Sequence, residues 1–344
     1  MNARLCRILG GCAINLAIAA GAVSLSVAAA ADGRTGERRG YVNRPEVRAF
    51  IREMADRHGF VEKELAYLFS RARRQDAALK AITPPKHPQV RSWQDYRARF
   101  VNDLRINEGA AFWRTNAAAL DRATDEHGVP QEIIVAIIGI ETLYGRQSGG
   151  FRVIDALTTL AFDYPPRAAF FRAELEQYLL FARELELDVF SVKGSYAGAI
   201  GIPQFMPGSY RRFAVDFDGD GVADLRASAA DAIGSAANFL RMHGWRRGEL
   251  IAVPAQVNGL AHRAMLEAGI EPKIPLGELR QYGVETRSGL ALDTPVALID
   301  LETPHAPIEY RLGLQNFYVL TRYNRAVFYA AAVMDLAAAI RAAK

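Results

Sequence analysis

Cysteine is almost missing from this 344-residue chain. The two present, Cys6 and Cys12, both fall in its first dozen residues. A mature protein cut after that region has no thiol, which excludes disulfides, thiolate chemistry and Cys-ligated metal sites. The six histidines form no HExxH pair, no serine sits in GxSxG, and no phosphate-binding glycine motif occurs. Zinc hydrolysis, serine esterase chemistry and nucleotide binding therefore lack their residues. Net charge is also small, falling from +4 to +2 once Arg4 and Arg7 are removed. That is too little to indicate nucleic acid. Arg71-Ala72-Arg73-Arg74, Arg211-Arg212 and Arg246-Arg247 read as solvated helix faces rather than a basic tract. No internal repeat is visible.

What is present begins with an export pattern. Arg4 and Arg7 precede an apolar stretch from Ile8 to about Val27, and Ala28 to Ala31 supply small residues before Asp32. Residues 1–31 read as a cleaved signal peptide, which places the mature protein in the periplasm. An uncleaved anchor is the alternative. Leu9-Gly10-Gly11-Cys12 faintly resembles a lipoprotein signal but has almost no apolar run before it, so an outer-membrane lipoprotein is the weaker reading. With half its residues hydrophobic, the remainder has the length for two or three domains. Residues 32–40 are a polar Gly/Arg linker. Residues 41–125 are helical in pattern, with Phe60, Val61, Leu65, Tyr67 and Leu68 spaced as one buried face. Residues 126–250 hold helices broken by glycine loops, among them one expected from Arg167 to about Glu186. Prolines punctuate short β-type runs over 251–312, which suggests a small β-rich module. Residues 313–344 return as a segment ending in a helix from about Arg325. The fold class expected is α+β, mainly α-helical.

Glu141 follows eight residues without a polar side chain, Ile133 to Ile140. Pro130 is placed to open a helix and Gly145 to close it. At 100° per residue Ile133, Ile134, Ile137 and Ile138 form one stripe, with Glu141 near its centre. Burial there raises a carboxyl pKa, and the carbonyl end of the helix dipole pushes the same way. An acid protonated near neutral pH suits general acid catalysis. The alternative is a core carboxylate neutralised by Arg146 or Arg167.

Two loops complete the pattern. Residues 193–210 contain four glycines and two prolines among aromatics, with Ser195, Gln204, Phe205 and Met206. Such a surface lets backbone approach a ligand and suits sugars; a connection packed on the core fits equally. Asp216, Asp218, Asp220, Gly221, the Val222 carbonyl and Asp224 occupy positions 1, 3, 5, 6, 7 and 9 of an EF-hand calcium loop. Position 12 is Ala227 instead of Glu, and Asp231 lies four residues beyond it. A solvated acidic turn is the other reading.

Gly139-Ile-Glu141-Thr-Leu-Tyr-Gly145-Arg146, Val153 to Pro165, both loops, Asn238-Phe239, His243-Gly-Trp245 and Thr321-Arg-Tyr-Asn324-Arg325 together resemble the lytic murein transglycosylase B family over nearly all of the mature chain. The resemblance implies a lysozyme-like catalytic core within 126–250, an outer helical domain and a small β-domain. It also implies cleavage of the β-1,4 bond between N-acetylmuramic acid and N-acetylglucosamine in peptidoglycan. Glu141 matches the family's single catalytic acid. Tyr96, Arg167, Ser195, Gln204, Phe205, Met206, Tyr323, Asn324 and Tyr329 match substrate-binding positions. The acidic loop matches a stretched calcium site, with Asp216, Asp218, Asp220, Val222 and Asp231 as ligands, the ion structural and no cofactor needed for chemistry. Pro166-Arg167 stands where members often carry two arginines, and Phe239 where a tyrosine is common, so one charge and one hydroxyl are lost.

One acid suffices if the substrate supplies the nucleophile, as the resemblance implies: Glu141 protonates the leaving oxygen, then its carboxylate deprotonates the muramyl 6-hydroxyl, giving a 1,6-anhydro end. Hydrolysis through water normally takes two carboxylates. Asp155 and Asp163 are near in the chain but read as a helix cap and a turn. A hydrolysing muramidase and a non-catalytic, calcium-stabilised peptidoglycan-binding protein are the alternatives. The expected partner is the glycan strand, with a monomeric chain and other cell-wall enzymes as candidate associates.

Overall fold

The structure, a computed structural model, describes residues 40–84 and 92–344. The expected signal peptide and all of the linker but Gly40 lie outside the described residues. Residues 40–84 form α1 (Pro45–His58), α2 (Glu62–Arg71) and α3 (Asp76–Ile82). Residues 92–147 form α4 (Trp93–Phe100), α5 (Asp103–Thr115), α6 (Ala117–His127) and α7 (Gln131–Thr142). Next come β1 (Phe151–Arg152), α8 (Val153–Asp163), α9 (Ala168–Glu184), β2 (Lys193–Gly194) and α10 (Pro207–Phe213). Helix α11 (Ala229–Met242) precedes the mixed segment β3 (Ala252–Val257), α12 (Arg263–Glu267), β4 (Ile274–Pro275), α13 (Leu276–Gln281), β5 (Val284–Glu285), β6 (Pro295–Leu301) and β7 (Glu309–Gly313). Helices α14 (Gln315–Tyr323) and α15 (Val327–Ala343) close the chain, and the class is the mainly helical α+β expected.

Two compact units interleave along the sequence. One holds residues 92–147 and 213–344, the other 40–84 and 148–212. The sequence-based boundary at 125/126 falls inside α6, which runs on until Gly128 takes the left-handed conformation that ends it.

In the first unit α7 is the central helix. Pro130 caps it with no side-chain bond, Glu132 complements the dipole in the first turn, and every residue from Ile133 to Thr142 is buried. A helix apolar on all sides has to be surrounded, and α5, α6, α11 and α15 do so. Each fully buried Ile or Leu contributes about 1.5–3 kcal/mol. The same unit carries an antiparallel sheet in the order β4-β6-β7-β3-β5. Val296 and Leu298 alternate onto one face with Val253, Leu276 and Leu312, while Ile299 approaches Gly313 on the other.

In the second unit α8 and α9 pack together. Asp155, Thr159 and Asp163, spaced i, i+4, i+8 on α8, bind the 41–75 segment. Asp155 accepts from the Arg73 amide (2.9 Å), Thr159 from the Gln75 amide (2.9 Å) and Asp163 from the Tyr41 hydroxyl (2.6 Å). Both aspartates are thus occupied with holding the fold.

The buried face expected over 60–68 shifts. Val61 and Tyr67 are exposed, whereas Leu65, Leu68 and Phe69 are buried. Because α2 starts only at Glu62, the i, i+3, i+4 stripe falls on those three residues. The Tyr67 ring lies outside and carries the Arg71 guanidinium. Helix α9 likewise starts after Arg167, which follows Pro165 and Pro166 in a short 3₁₀ turn.

Candidate active site

Glu141 occupies the last turn of α7 and is 4% exposed. Its Oε1 accepts a hydrogen bond of 2.7 Å from the Tyr329 hydroxyl on α15. Burial pushes its carboxyl up to about 7, against the smaller downward pull of that hydroxyl. The cause is physical: an anion there loses its water, and one phenol replaces only part of it. The arginines expected as possible neutralisers are engaged elsewhere. Arg146 holds Glu108 with two contacts of 2.8 and 2.5 Å, and the Arg167 guanidinium lies 4.4 Å from the Phe170 ring centroid.

Tyr329 is pushed well above the ordinary phenol range, by burial first and by Glu141 next, so it stays a donor. Tyr323 stacks parallel to it at 6.4 Å and is raised for the same two reasons. The Tyr323 ring also meets Phe239 edge-on at 4.9 Å. Asn324, next in the chain, has its side-chain oxygen enclosed without a partner. Tyr96 packs on Trp93, Phe100 and Phe328 in an aromatic cluster, and Phe328 precedes Tyr329. Glu141, Tyr323 and Tyr329 are therefore together in one unit, with Asn324 and Tyr96 close by in chain or cluster.

The second unit holds the glycine loop. Ser195 Oγ accepts from the Ala199 amide at 3.0 Å, and the Ser195 amide donates to the Ala199 carbonyl at 2.9 Å, closing a tight turn. A side chain at Gly194 would run into that carbonyl, which explains the glycine. Ile200 and Phe205 exchange backbone bonds of 2.8 and 3.1 Å. Gln204 adopts a left-handed backbone (φ 53) and its amide donates to the Gly201 and Ser148 carbonyls at 2.8 and 3.0 Å. Phe205 is buried, whereas Ser195 and Met206 are half-buried. Gln204 and Phe205 thus hold the loop's shape, with Ser195 and Met206 at its accessible side.

In the acidic loop, Asp216, Asp218 and Asp231 bring ligand oxygens within 4.8 Å of one another. Asp231 is fully buried and accepts from the amides of Phe217 (2.7 Å), Asp218 (3.2 Å) and Asp224 (2.8 Å). Asp216 accepts from the Gly219 and Gly221 amides at 2.7 and 2.8 Å, which hold its carboxyl below the usual range. Gly219 and Gly221 have φ of 82 and 96, as a loop wrapping on its first carboxylate needs. Asp220 points to the Val222 amide and Asp224 pairs with Arg226. The donor set is hard oxygen, and three carboxylates meeting, one of them buried, fit a divalent cation of the calcium type.

One feature of the site escapes sequence reasoning. Helix α7 does not run to Gly145; it stops at Thr142, and Leu143, Tyr144 and Gly145 all take left-handed φ values of 49, 59 and 86. Such a conformation costs a non-glycine residue about 1–3 kcal/mol, so surrounding contacts have to hold it. Mid-helix Gly109 and Gly139 were the available signal, since glycine there marks a close approach.

Known proteins resemble this chain over most of its length. Residues 43–338 match the transglycosylase SLT domain family. The chain is 40% identical over 313 residues to the membrane-bound lytic murein transglycosylase B of Escherichia coli (strain K12), covering 88% of this chain and 85% of that protein. The X-ray structure of the catenated lytic transglycosylase SltB1 from Pseudomonas aeruginosa superposes with a TM-score of 0.83 at 47% identity, over 88% of this chain and 99% of that one. The Escherichia coli lytic transglycosylase Slt35 in complex with calcium gives 0.79 at 40% identity, over 88% and 94%.

Proposed function

The chain belongs to the transglycosylase SLT domain family, as a member of its lytic murein transglycosylase B branch, and from that premise we propose how it cleaves peptidoglycan. It is a peptidoglycan lytic transglycosylase, and Glu141 is its acid and then its base. The supporting observation is the buried carboxyl held by one phenol, protonated up to about neutral pH. With Tyr329 donating to Oε1, the proton is assigned to Oε2. Glu141 gives that proton to the glycosidic oxygen as the C1–O4 bond breaks, and the muramyl N-acetyl group stabilises the oxocarbenium-like centre. The resulting carboxylate takes the proton of the muramyl 6-hydroxyl as its oxygen bonds to C1. The glycan ends in a 1,6-anhydro ring, Glu141 is again protonated, and no water is consumed.

Tyr323, Asn324 and Tyr96 are assigned to glycan binding, as are Ser195, Gln204, Phe205, Met206 and Arg167. Asp216, Asp218, Asp220, the Val222 carbonyl and Asp231 hold a structural calcium ion, which supplies charge neutralisation to the loop and takes no part in the reaction. The enzyme works on cell-wall peptidoglycan in the envelope, exported to the periplasm by removal of residues 1–31.

Digestion of purified murein in ¹⁸O-water, read by mass spectrometry of the muropeptides, tests the route. Anhydromuramyl ends without label are expected. Labelled reducing ends as the main product would overturn it in favour of hydrolysis.

A further inference from the structure

The turn that follows the acid is bolted to one face of α5 through Tyr144 and Arg146. Arg105, Glu108, Gly109 and Phe112 lie at i, i+3, i+4 and i+7 and form that face. The Tyr144 hydroxyl donates to the Arg105 carbonyl at 2.7 Å, and the Tyr144 ring lies 5.4 Å from that of Phe112. Arg146, two residues on, grips Glu108 through both terminal guanidinium nitrogens. The Tyr144 phenol threads a slot between two helices that only glycine leaves open, since a Cβ at either Gly109 or Gly139 would run into its oxygen. Gly139 belongs to α7 itself, two residues before Glu141, and its carbonyl accepts both the Leu143 amide (3.2 Å) and the Arg105 side chain (3.2 Å).

These contacts converge on the helix end that carries the acid. Leu143 and Tyr144 both sit in left-handed backbone, which L side chains avoid unless held. Without the latch the last turn of α7 is free to relax, and it is that turn which sets the 2.7 Å approach of Glu141 to Tyr329. We propose that Tyr144 is a positioning residue, whose phenol, locked in the Gly109–Gly139 slot and bonded to the Arg105 carbonyl, fixes the end of α7 and so the orientation and dryness of the Glu141 carboxyl. The proposal rests on Glu141 being the acid.

Four full-length proteins separate the two ideas: wild type, Tyr144→Phe, Gly139→Ala and Glu141→Gln. For each, kcat and KM on uncross-linked murein are measured from pH 4 to 9, and the melting temperature is recorded alongside. Tyr144→Phe keeps the ring and loses only the hydroxyl bond. It is expected to lower kcat by about 10-fold to 100-fold, the scale of a small misplacement of a reacting group, with KM within about twofold. Its alkaline limb in kcat should move to lower pH, because a loosened carboxyl gains water. Gly139→Ala should act in the same direction and more strongly. A Tyr144→Phe protein that melts earlier yet keeps wild-type kcat and the wild-type alkaline limb would reduce the latch to a fold contact. An active Glu141→Gln protein would instead remove the acid itself, whatever Tyr144 does.

Discussion

Glu141 and Asp231 are both carboxylic acids with almost no exposure, 4% and 0%, in the same unit, yet they are built for opposite purposes. Asp231 accepts three backbone N–H groups, from Phe217, Asp218 and Asp224. Glu141 accepts one phenol. Fixed donors stabilise the anion and burial opposes it, so donor number decides whether a buried carboxyl stores a proton or waits for a cation. Around Asp231 burial still raises the pKa, and the charge of Asp218 adds to it, a load that a bound cation would relieve. Around Glu141, among the described residues, only the Tyr329 hydroxyl offsets burial, and the proton itself is the partner.

The sharpest way to break this contrast is to make the two acids equivalent in effect. Glu141→Gln preserves volume and the Tyr329 contact but has no suitable proton. The rate on murein should fall by about 10²–10⁴-fold, the range of general acid catalysis, with murein binding retained. Asp231→Asn should leave the rate per folded molecule within a few-fold. Near-normal turnover from Glu141→Gln, measured by release of soluble muropeptides, would erase the distinction.

That contrast was unevenly legible in the sequence. Glu141 announces itself, because eight apolar residues before a lone carboxylate have few readings. Tyr329 lies 188 residues away and reaches Glu141 only through packing of α15 on α7, so periodicity within either helix cannot pair them. The resemblance supplied Tyr329 as a substrate contact, and its bond to the acid is a further feature that only the fold reveals. Asp231 falls outside the twelve-residue calcium scheme, and only the fold back through Phe217 brings it to Asp216. The Leu143-Tyr144 turn left no trace in its own two residues, since neither favours positive φ, and the signal lay instead in Gly109 and Gly139. Nor does local pattern reveal that residues 148–212 pack with 40–84, which takes contacts across half the chain.

A second consequence concerns stability. Glu141 is raised in the folded protein to about 7 from an ordinary 4.5, so the unfolded chain gives up its proton first. Its contribution is fully present below about pH 4.5 and is lost as pH rises through 7, amounting to about 3 kcal/mol lost on the alkaline side. Glu141→Gln removes that loss. Urea midpoints should therefore be similar for variant and wild type near pH 4 and higher for the variant near pH 8.5. Parallel curves at both pH values would mean that the carboxyl is not held neutral.

For the acidic loop the matching lever is the cation. A ligand bound only by the folded state stabilises by about 2.7 kcal/mol at 100 times its dissociation constant. Chelation should lower the melting temperature, and calcium should restore it better than magnesium, which demands tighter octahedral geometry. Asp216→Ala and Asp231→Ala should abolish the response. A melting curve indifferent to chelator and calcium would leave the carboxylates as a solvated turn.

The smallest effect is expected at the position where an ordinary EF-hand loop places its most important ligand. Ala227 is exposed, and its amide contacts the Asp224 carbonyl at 3.3 Å, a bond that any side chain permits. The role of closing the loop has passed to Asp231, which is anchored in α11 by its own amide donating to Ser228 Oγ at 3.1 Å. Ala227→Ser should therefore change stability by less than about 0.5 kcal/mol, as surface substitutions do, and leave the calcium response intact. Ala227→Glu is the more demanding trial. If the loop were an ordinary one lacking only its twelfth residue, that glutamate would tighten calcium binding and make Asp231 dispensable. With Asp231 as the closing ligand, calcium titrations of Ala227→Glu should match wild type, and the Ala227→Glu, Asp231→Ala double variant should bind no better than Asp231→Ala alone. Rescue in the double variant would show that the stretched closure is an accident of one missing side chain rather than the way this loop is built.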